Sequence, residues 1–365
     1  MKTAAPEVRF ERLRHTEIEA LQIFLRENEE ATVFHSWEWG QVIESTYGHR
    51  CDYWAAWSEK RITGVFPVVT MRLPWLGSKM VSIPYQYYCG LPLVVNPQNE
   101  KITESSIQAG LARLLGLAIA QASESGANYL EIRSRETAPL LVELGFTPMD
   151  SQLVTTTTPL RALDFKKIRR NHQRSVKRAR ELGVSITESE TLDDLKIFRR
   201  LYLIEGRKLG APQAGWKFFE NLHRFARARY RLLLAWMADV CLGGLLTLDD
   251  GRTVFARCGA YSSSDALNLR VGSALRWRAM SDAAQRGCRY FNHGVSWRGD
   301  KGLIHYKEGW QGTTSPVYLY VYPFSSKPSA PGSYFEGFST VKAIWRKLPL
   351  GVVDRVGNLV TRWVG

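Results

Sequence analysis

Strand-like and helix-like stretches recur along this chain in the same order twice. Tyr53 to Trp57 is an apolar run, followed seven residues after the Trp by Gly64 and then Val65-Phe66-Pro67-Val68-Val69. Tyr230 to Trp236 repeats it, with Gly243 seven residues after the Trp and then Gly244-Leu245-Leu246-Thr247-Leu248. Each pair predicts a β-hairpin whose second strand opens at glycine. Later in each half comes a long helix, an exit glycine and a strand. Ile107 to Ser125 leads to Gly126 and Ala127-Asn128-Tyr129-Leu130-Glu131-Ile132, and Ser273 to Arg286 leads to Gly287 and Cys288-Arg289-Tyr290-Phe291-Asn292-His293. Helices also begin each half, at Thr16 to Arg26 and Trp37 to Thr46, and at Leu192 to Leu209 and Lys217 to Arg229. Repetition of a whole α/β order predicts two copies of one kind of unit.

Two further periodic segments lie outside the repeat. Phe165, Ile168, His172, Val176 and Ala179 recur every three or four residues, with Gly183 as the C-cap, which predicts a helix whose other faces are basic. Near the C-terminus Val341, Ile344, Trp345 and Leu348 share one side of a first segment. Pro349 separates it from a second, in which Val352, Val353, Val356, Leu359, Val360, Trp363 and Val364 share one face. Such a tail either docks on the protein or lies in a membrane interface.

Composition sharpens this picture. The 365 residues carry 49 Lys+Arg against 35 Asp+Glu, a net charge of +14, with 45% hydrophobic and 12% aromatic residues. A chain this apolar folds, and its length suits about two domains. Lys166 to Arg180 holds eight basic residues and no acid, and Val341 to Gly365 holds five basic residues and one acid, so nearly all the excess is local. A helix with no acidic i,i+4 partners for its arginines either is simply solvated or faces phosphates of a nucleic acid or a substrate. The longest apolar runs, Leu114 to Ala120 and Leu232 to Ala238, are seven residues, well short of the roughly 20 needed to cross a bilayer. Met1 to Glu7 lacks the apolar stretch of a secretory signal. Five widely spaced cysteines without a CxxC pair read as reduced thiols of a cytoplasmic protein, and no metal site is expected.

The segments Ser36-Trp37-Glu38-Trp39-Gly40-Gln41-Val42-Ile43-Glu44, Tyr85-Gln86-Tyr87-Tyr88-Cys89-Gly90, Arg169 to Ala179, Gly206-Arg207-Lys208-Leu209-Gly210-Ala211-Pro212, Leu275-Arg276-Trp277-Arg278-Ala279-Met280 and Tyr306-Lys307-Glu308-Gly309-Trp310 form an ordered set. In that order the chain resembles the FemAB-like (BioF2-like) acyltransferases. The resemblance implies an α/β fold of two tandem GNAT-like units with mixed sheets and a C-terminal amphipathic helical tail. The expected boundaries are 1–160, 161–322 with the basic helix first, and 323–365 for linker and tail. It also implies transfer of an acyl group, in characterised relatives an aminoacyl group from aminoacyl-tRNA, to an amine on a peptidoglycan precursor or another cell-envelope or polysaccharide-linked acceptor. Lys307 matches a lysine that supports the transferring acyl centre, and Arg207 an arginine that contacts substrate phosphate. Trp39, Tyr85 and Tyr87 match positions lining the cleft of the family, and Tyr306 precedes the matched lysine. Two positions depart from the family: Ile43 stands where muropeptide transferases carry a phosphate-binding lysine, and Asn292 where many relatives have an acid.

Aminolysis of an activated ester needs positioning and positive charge near the oxyanion rather than a covalent nucleophile. Lys307 supplies that charge if it is not merely a surface lysine. His293, beside Asn292, either accepts the amine proton or is a hydrogen-bonded core histidine. Arg170, Arg174, Lys177 and Arg178 on the basic helix suit a polyanionic donor such as tRNA, or an acidic acyl carrier protein. Leu269-Arg270-Val271-Gly272-Ser273-Ala274 resembles, one position short, the pyrophosphate cradle of coenzyme A enzymes. The expectation is an N-acyltransferase with no permanently bound cofactor and the acyl donor as co-substrate. Its expected place is the cytoplasm, with peripheral contact at the inner membrane face through 341–365. The competing expectations are an acyl-CoA or acyl-carrier-protein dependent N-acetyltransferase, and a non-catalytic protein that binds nucleic acid or an anionic polymer.

Overall fold

A computed structural model describes residues 8–73, 77–85, 90–94, 104–262, 264–324 and 339–364. In chain order the first set of elements is β1 (Val8–Arg12), α1 (Ile18–Glu27), α2 (Trp37–Tyr47), β2 (Arg50–Ser58), β3 (Arg61–Leu73), β4 (Gly77–Val81), β5 (Leu93–Val94), α3 (Glu104–Glu124), β6 (Tyr129–Ser134), α4 (Pro139–Glu143) and β7 (Thr147–Met149). The second is β8 (Leu153–Pro159), α5 (Arg170–Glu181), β9 (Ser185–Ser189), α6 (Leu192–Leu209), α7 (Trp216–Phe225), β10 (Tyr230–Met237), β11 (Val240–Asp249), β12 (Thr253–Tyr261), α8 (Ser264–Asn268), α9 (Val271–Gln285), β13 (Tyr290–Trp297), α10 (Lys301–Glu308) and β14 (Thr313–Pro316). β15 (Tyr318–Pro323), α11 (Ser339–Lys347) and α12 (Leu350–Val364) follow.

The two units are copies down to their irregularities. In one sheet the strands run β1-β2-β3-β4-β6-β15-β7 with β5 on β3; in the other they run β14-β8-β13-β12-β11-β10-β9. Each has a single parallel junction, β4 with β6 and β12 with β13. Both expected hairpins form, and each slips register at the same place, after the pairs Ala56↔Gly64 and Ala235↔Gly243. Glycine is required at the second of these pairs, because a Cβ on Gly243 would sit 2.8 Å from the Ala260 carbonyl oxygen. The exit glycines adopt left-handed backbone, Gly126 at φ 67 and Gly287 at φ 83. Behind each, the same pair of hydrogen bonds closes the helix: Gly126 N–H to Ser123 O with Ala127 N–H to Ala122 O, and Gly287 N–H to Ala284 O with Cys288 N–H to Ala283 O.

In the first unit Leu114, Leu115, Ala118 and Ala122 of α3 pack on Phe66, Val68, Met80 and Leu130, while α1 brings Leu21 and Phe24 against Ala55 and Val65. In the second, Val271, Leu275, Ala279, Met280 and Ala283 of α9 pack on Leu233, Leu245 and Phe291. α6 contributes Phe198, which meets Phe219 of α7 edge-on.

Two boundaries differ from those read in the sequence. β8 belongs to the second unit, which therefore begins just after Ser151 rather than at 161, and β15 returns to the first, while α11 and α12 belong to the second. The exchange follows from burial: β15 pairs along its length with β6, where Leu319 and Val321 join Tyr129 and Tyr320 enters the main core. The basic helix is also shorter than its periodicity suggested. It starts at Arg170, because Lys167 and Ile168 close a turn on the Asp164 carbonyl and the Lys166 N–H is taken by the Asp164 carboxylate.

Phe291 is fully buried at the heart of the second core. Phe291→Ala is expected to destabilise that unit by about 3–5 kcal/mol, read as an earlier transition in urea denaturation followed by circular dichroism.

Candidate functional site

The parallel junction of the second unit is only three residues long. Thr253, Val254 and Phe255 pair with Tyr290, Phe291 and Asn292, and then the strands part. β12 continues beside β11 as far as Tyr261↔Gly243, and β13 beside β8 as far as Trp297↔Leu153. Both strands bulge where they separate, β12 around Arg257 and β13 at His293 and Gly294. Gly294, at φ 75, supplies the backbone that a side-chain-bearing residue adopts only with strain.

Asn292 holds this bulge. Its Nδ2 donates to Thr155 Oγ1 and to Thr157 Oγ1, each at 2.9 Å, and its Oδ1 accepts from the Gly294 N–H at 2.8 Å. Both its amide protons and one acceptor position of its oxygen go into shaping the strand. The bulge in turn aims two successive carbonyls at Lys307, whose Nζ donates to Gly294 O at 3.0 Å and Val295 O at 2.8 Å. Lys307 lies in the last turn of α10, a helix capped by Asp300, whose carboxylate accepts from Leu303 N–H at 3.0 Å. Only 4% of Lys307 is exposed. Burial first, and the nearby Arg276 guanidinium second, draw its pKa from 10.5 down to about 7, against a smaller opposing pull from Asp300. It is therefore a buried ammonium held by backbone dipoles and by the carbonyl end of its own helix rather than by a carboxylate.

His293 is the next link. Arg276 of α9 donates from a guanidinium nitrogen to His293 Nδ1 at 2.8 Å, and His293 Nε2 lies 2.9 Å from Thr158 Oγ1. Thr158 spends its own proton on the Trp310 carbonyl oxygen at 2.9 Å, so His293 must carry its proton on Nε2 and accept on Nδ1. Burial, Arg276, Lys307 and His172 together hold its pKa well below 6.5. This corrects one of the two sequence readings: with both nitrogens engaged and the neutral form favoured, His293 has no lone pair to accept a proton from an amine. Asn292, the other candidate for the catalytic set beside His293, has both amide protons committed to Thr155 and Thr157 and its oxygen to the Gly294 N–H, so its described partners are all within the strand bulge.

The aromatic wall beside Lys307 is built by its neighbours. His172 stacks on Trp310 with centroids 4.2 Å apart and planes at 5°, and meets Tyr306 edge-on at 4.8 Å. His172 Nε2 lies 2.9 Å from the Tyr306 carbonyl oxygen. A Cβ on Gly309 would fall 2.4 Å from that same nitrogen, which explains glycine there. Arg276 sits 5.7 Å above the Tyr306 ring, so Tyr306 joins the site. Because His172 belongs to α5, the basic helix is fastened to the Lys307 turn. Arg170, Arg174, Lys177 and Arg178 are all exposed on it.

Of the remaining candidates, Arg207 belongs to the second unit and Trp39 and Tyr85 to the first. Arg207, in the last turn of α6, is half-buried, and its carbonyl accepts from the Gly210 N–H at 3.0 Å while no hydrogen bond or ion pair of its guanidinium to the described residues is seen. Trp39 is 3% exposed and edge-on to Phe34 at 5.1 Å, among the buried rings of the first unit. Tyr85, at φ 63, stacks on Tyr47 at 4.3 Å and hydrogen-bonds His49 Nε2 at 3.0 Å. Tyr87 lies outside the described residues.

Sequence reading missed Arg276 and Thr158. Arg276 carries a signal in hindsight, an arginine interrupting the stripe Gly272, Met280, Ala283 on a core helix. Thr158 ends a run of four threonines whose buried polar character only pairing explains. At the start of α9, Arg270 is left-handed at φ 58 and the Tyr261 hydroxyl comes within 3.0 Å of where a Cβ of Gly272 would lie.

Residues 166–308 match the family model of the acetyltransferase (GNAT) domain. No curated protein matches the sequence. Among solved structures the chain is similar to FemX at 16% identity and a TM-score of 0.67, over 86% of this chain and 97% of that one. It is similar to L-PGS from Bacillus licheniformis at 14% and 0.57, over 90% and 96%. A tandem GNAT protein from the clavulanic acid biosynthesis pathway aligns at 11% and 0.53, over 88% and 100%. The fold is thus the tandem GNAT architecture that the FemAB-like resemblance implied.

His293 is expected to remain neutral and Nε2-protonated as pH is lowered through 6.5. Imidazole nitrogen shifts in NMR test this, and an ordinary titration near that pH would mean that Nδ1 is free. Since its folded pKa lies below the unfolded one, the native state should lose stability as pH falls beneath 6.5.

Proposed function

Starting from a GNAT-fold chain with the FemX architecture, we propose that the second unit is an N-acyltransferase site. In this reading Lys307 supplies positive charge to the oxyanion formed when an amine attacks an activated ester or thioester. The observation that carries the reading is the Lys307 ammonium, buried without a carboxylate and pinned to two carbonyls where the sheet opens. A cation arranged in advance for charge that develops only in the tetrahedral intermediate gives large rate factors. Arg276 adds a second positive group, with His293 and Thr158 as positioning residues that hold it. The attacking nitrogen loses a proton and the leaving oxygen or sulfur gains one. Lys307, poised near neutrality, is suited to pass that proton on.

An aminoacyl-tRNA is the donor this arrangement favours. The exposed arginines of α5 are attached to the Lys307 turn through His172, which suits a polyanion reaching the site. Tyr261 lies over Gly272, where coenzyme A enzymes open a helix start to pyrophosphate, and this argues against an acyl-CoA donor. The acceptor is an amine on an envelope-related molecule, by analogy with FemX and L-PGS.

The test is release of labelled acyl groups from aminoacyl-tRNA, acyl-carrier-protein thioester and acyl-CoA in parallel. Lys307→Met should lower release from the competent donor by about 10²–10³-fold without unfolding the protein. The cation is present below its pKa, so wild-type kcat/KM should fall as pH rises through about 7 and this limb should vanish in the variant. Full activity in Lys307→Met, or no release from any donor, would refute the reading.

A further inference from the structure

The tail carries two different faces, and docking uses only one. Val353 is fully buried and Trp345 is 6% exposed, while Gly357 is buried as well. Asp354 forms an ion pair with Arg199 of α6, itself 6% exposed. The contact is close: a Cβ on Gly210 would meet Lys342 at 3.0 Å, and one on Gly357 would meet the Gln213 carbonyl oxygen at 3.2 Å. About a quarter turn around α12 from this face, Val352, Val356 and Leu359 recur at i, i+4 and i+7 with 40%, 38% and 56% of their surface exposed. Arg355 and Arg362 flank that stripe, both exposed. On α11 Ile344 is 57% exposed, among exposed Lys342, Arg346 and Lys347. The single acid of the two helices, Asp354, is already used by Arg199.

We propose that this outward stripe lies in the headgroup region of a membrane bearing anionic phospholipids, with its aliphatic residues in the acyl boundary and its five basic residues on lipid phosphates. Charge separates a lipid surface from a second copy of this chain, since two such faces would oppose only positive groups. Size separates it from a protein groove: a stripe one helix wide on a 15-residue helix is roughly 22 Å long. At a helix width of about 10 Å that is on the order of 220 Å², short of the ~800 Å² per partner that stable protein interfaces bury. An apolar strip flanked by arginines is what interfacial helices present. The inference stands apart from the transfer chemistry, since it uses none of the residues around Lys307.

The experiment is co-sedimentation of the full chain with phosphatidylcholine vesicles, with and without phosphatidylglycerol. The variant combines Val352→Ser, Val356→Ser and Leu359→Ser, which leaves the docked face untouched, and unchanged circular dichroism checks its fold. Expected is salt-sensitive binding to the phosphatidylglycerol vesicles alone, weakened about tenfold or more in the variant. The proposal is overturned by absence of binding, by equal binding of variant and wild type, or by equal binding to both vesicle types. Self-association in analytical ultracentrifugation that the variant abolishes, without vesicle binding, would assign the face to a second copy and also overturn it.

Discussion

A buried ammonium must find acceptors, and in this protein Lys307 finds them in a distorted strand. A carboxylate in contact would neutralise it and keep its pKa high; two carbonyls take two of its three protons while leaving its charge uncompensated. That requirement accounts for the surrounding sequence. Gly294 gives the bulge its backbone, and Asn292 with Thr155 and Thr157 keeps it closed, next to the point where β12 and β13 part. Arg276 adds charge that lowers the lysine further, and is held by a histidine whose own proton is fixed by Thr158.

The duplication explains why such a site exists in one unit. Both sheets have one parallel junction and the same register slip behind the first hairpin, so the scaffold repeats. The residues at the junction do not. The first unit has Glu131 and Arg133 on its equivalent strand, paired with each other and beside Lys79, whose pKa burial lowers. The second has the bulge with Asn292 and His293. Divergence has thus placed a paired ion cluster in one copy and a buried cationic cluster without a contacting carboxylate in the other.

The net charge of +14 divides in the same way. One share sits on α5, whose core face ends in His172 against Trp310. The other sits on a tail that spends its one carboxylate on Arg199 and keeps its basic groups outward. Most of these basic groups are exposed, so their charge acts on the surrounding solvent rather than within a core.

Much of this was legible in the sequence. The paired glycines Gly64 and Gly243, the exit glycines Gly126 and Gly287 and the break at Pro349 are local signals, since backbone geometry and periodicity act over a few residues. They set the kind and order of the repeated elements, though not β8, β9 or the helix α10 that carries Lys307. The lysine and the basic helix could be picked out by type and resemblance. Tertiary structure decided what local signals do not encode: which sheet β8 and β15 join, and whether His293 has a free lone pair. Its Thr158 partner lies 135 residues away, and Thr158 in turn reaches across 152 residues to Trp310. Over such separations a side chain's role depends on which strands have been brought together, and burial of the whole chain settles that.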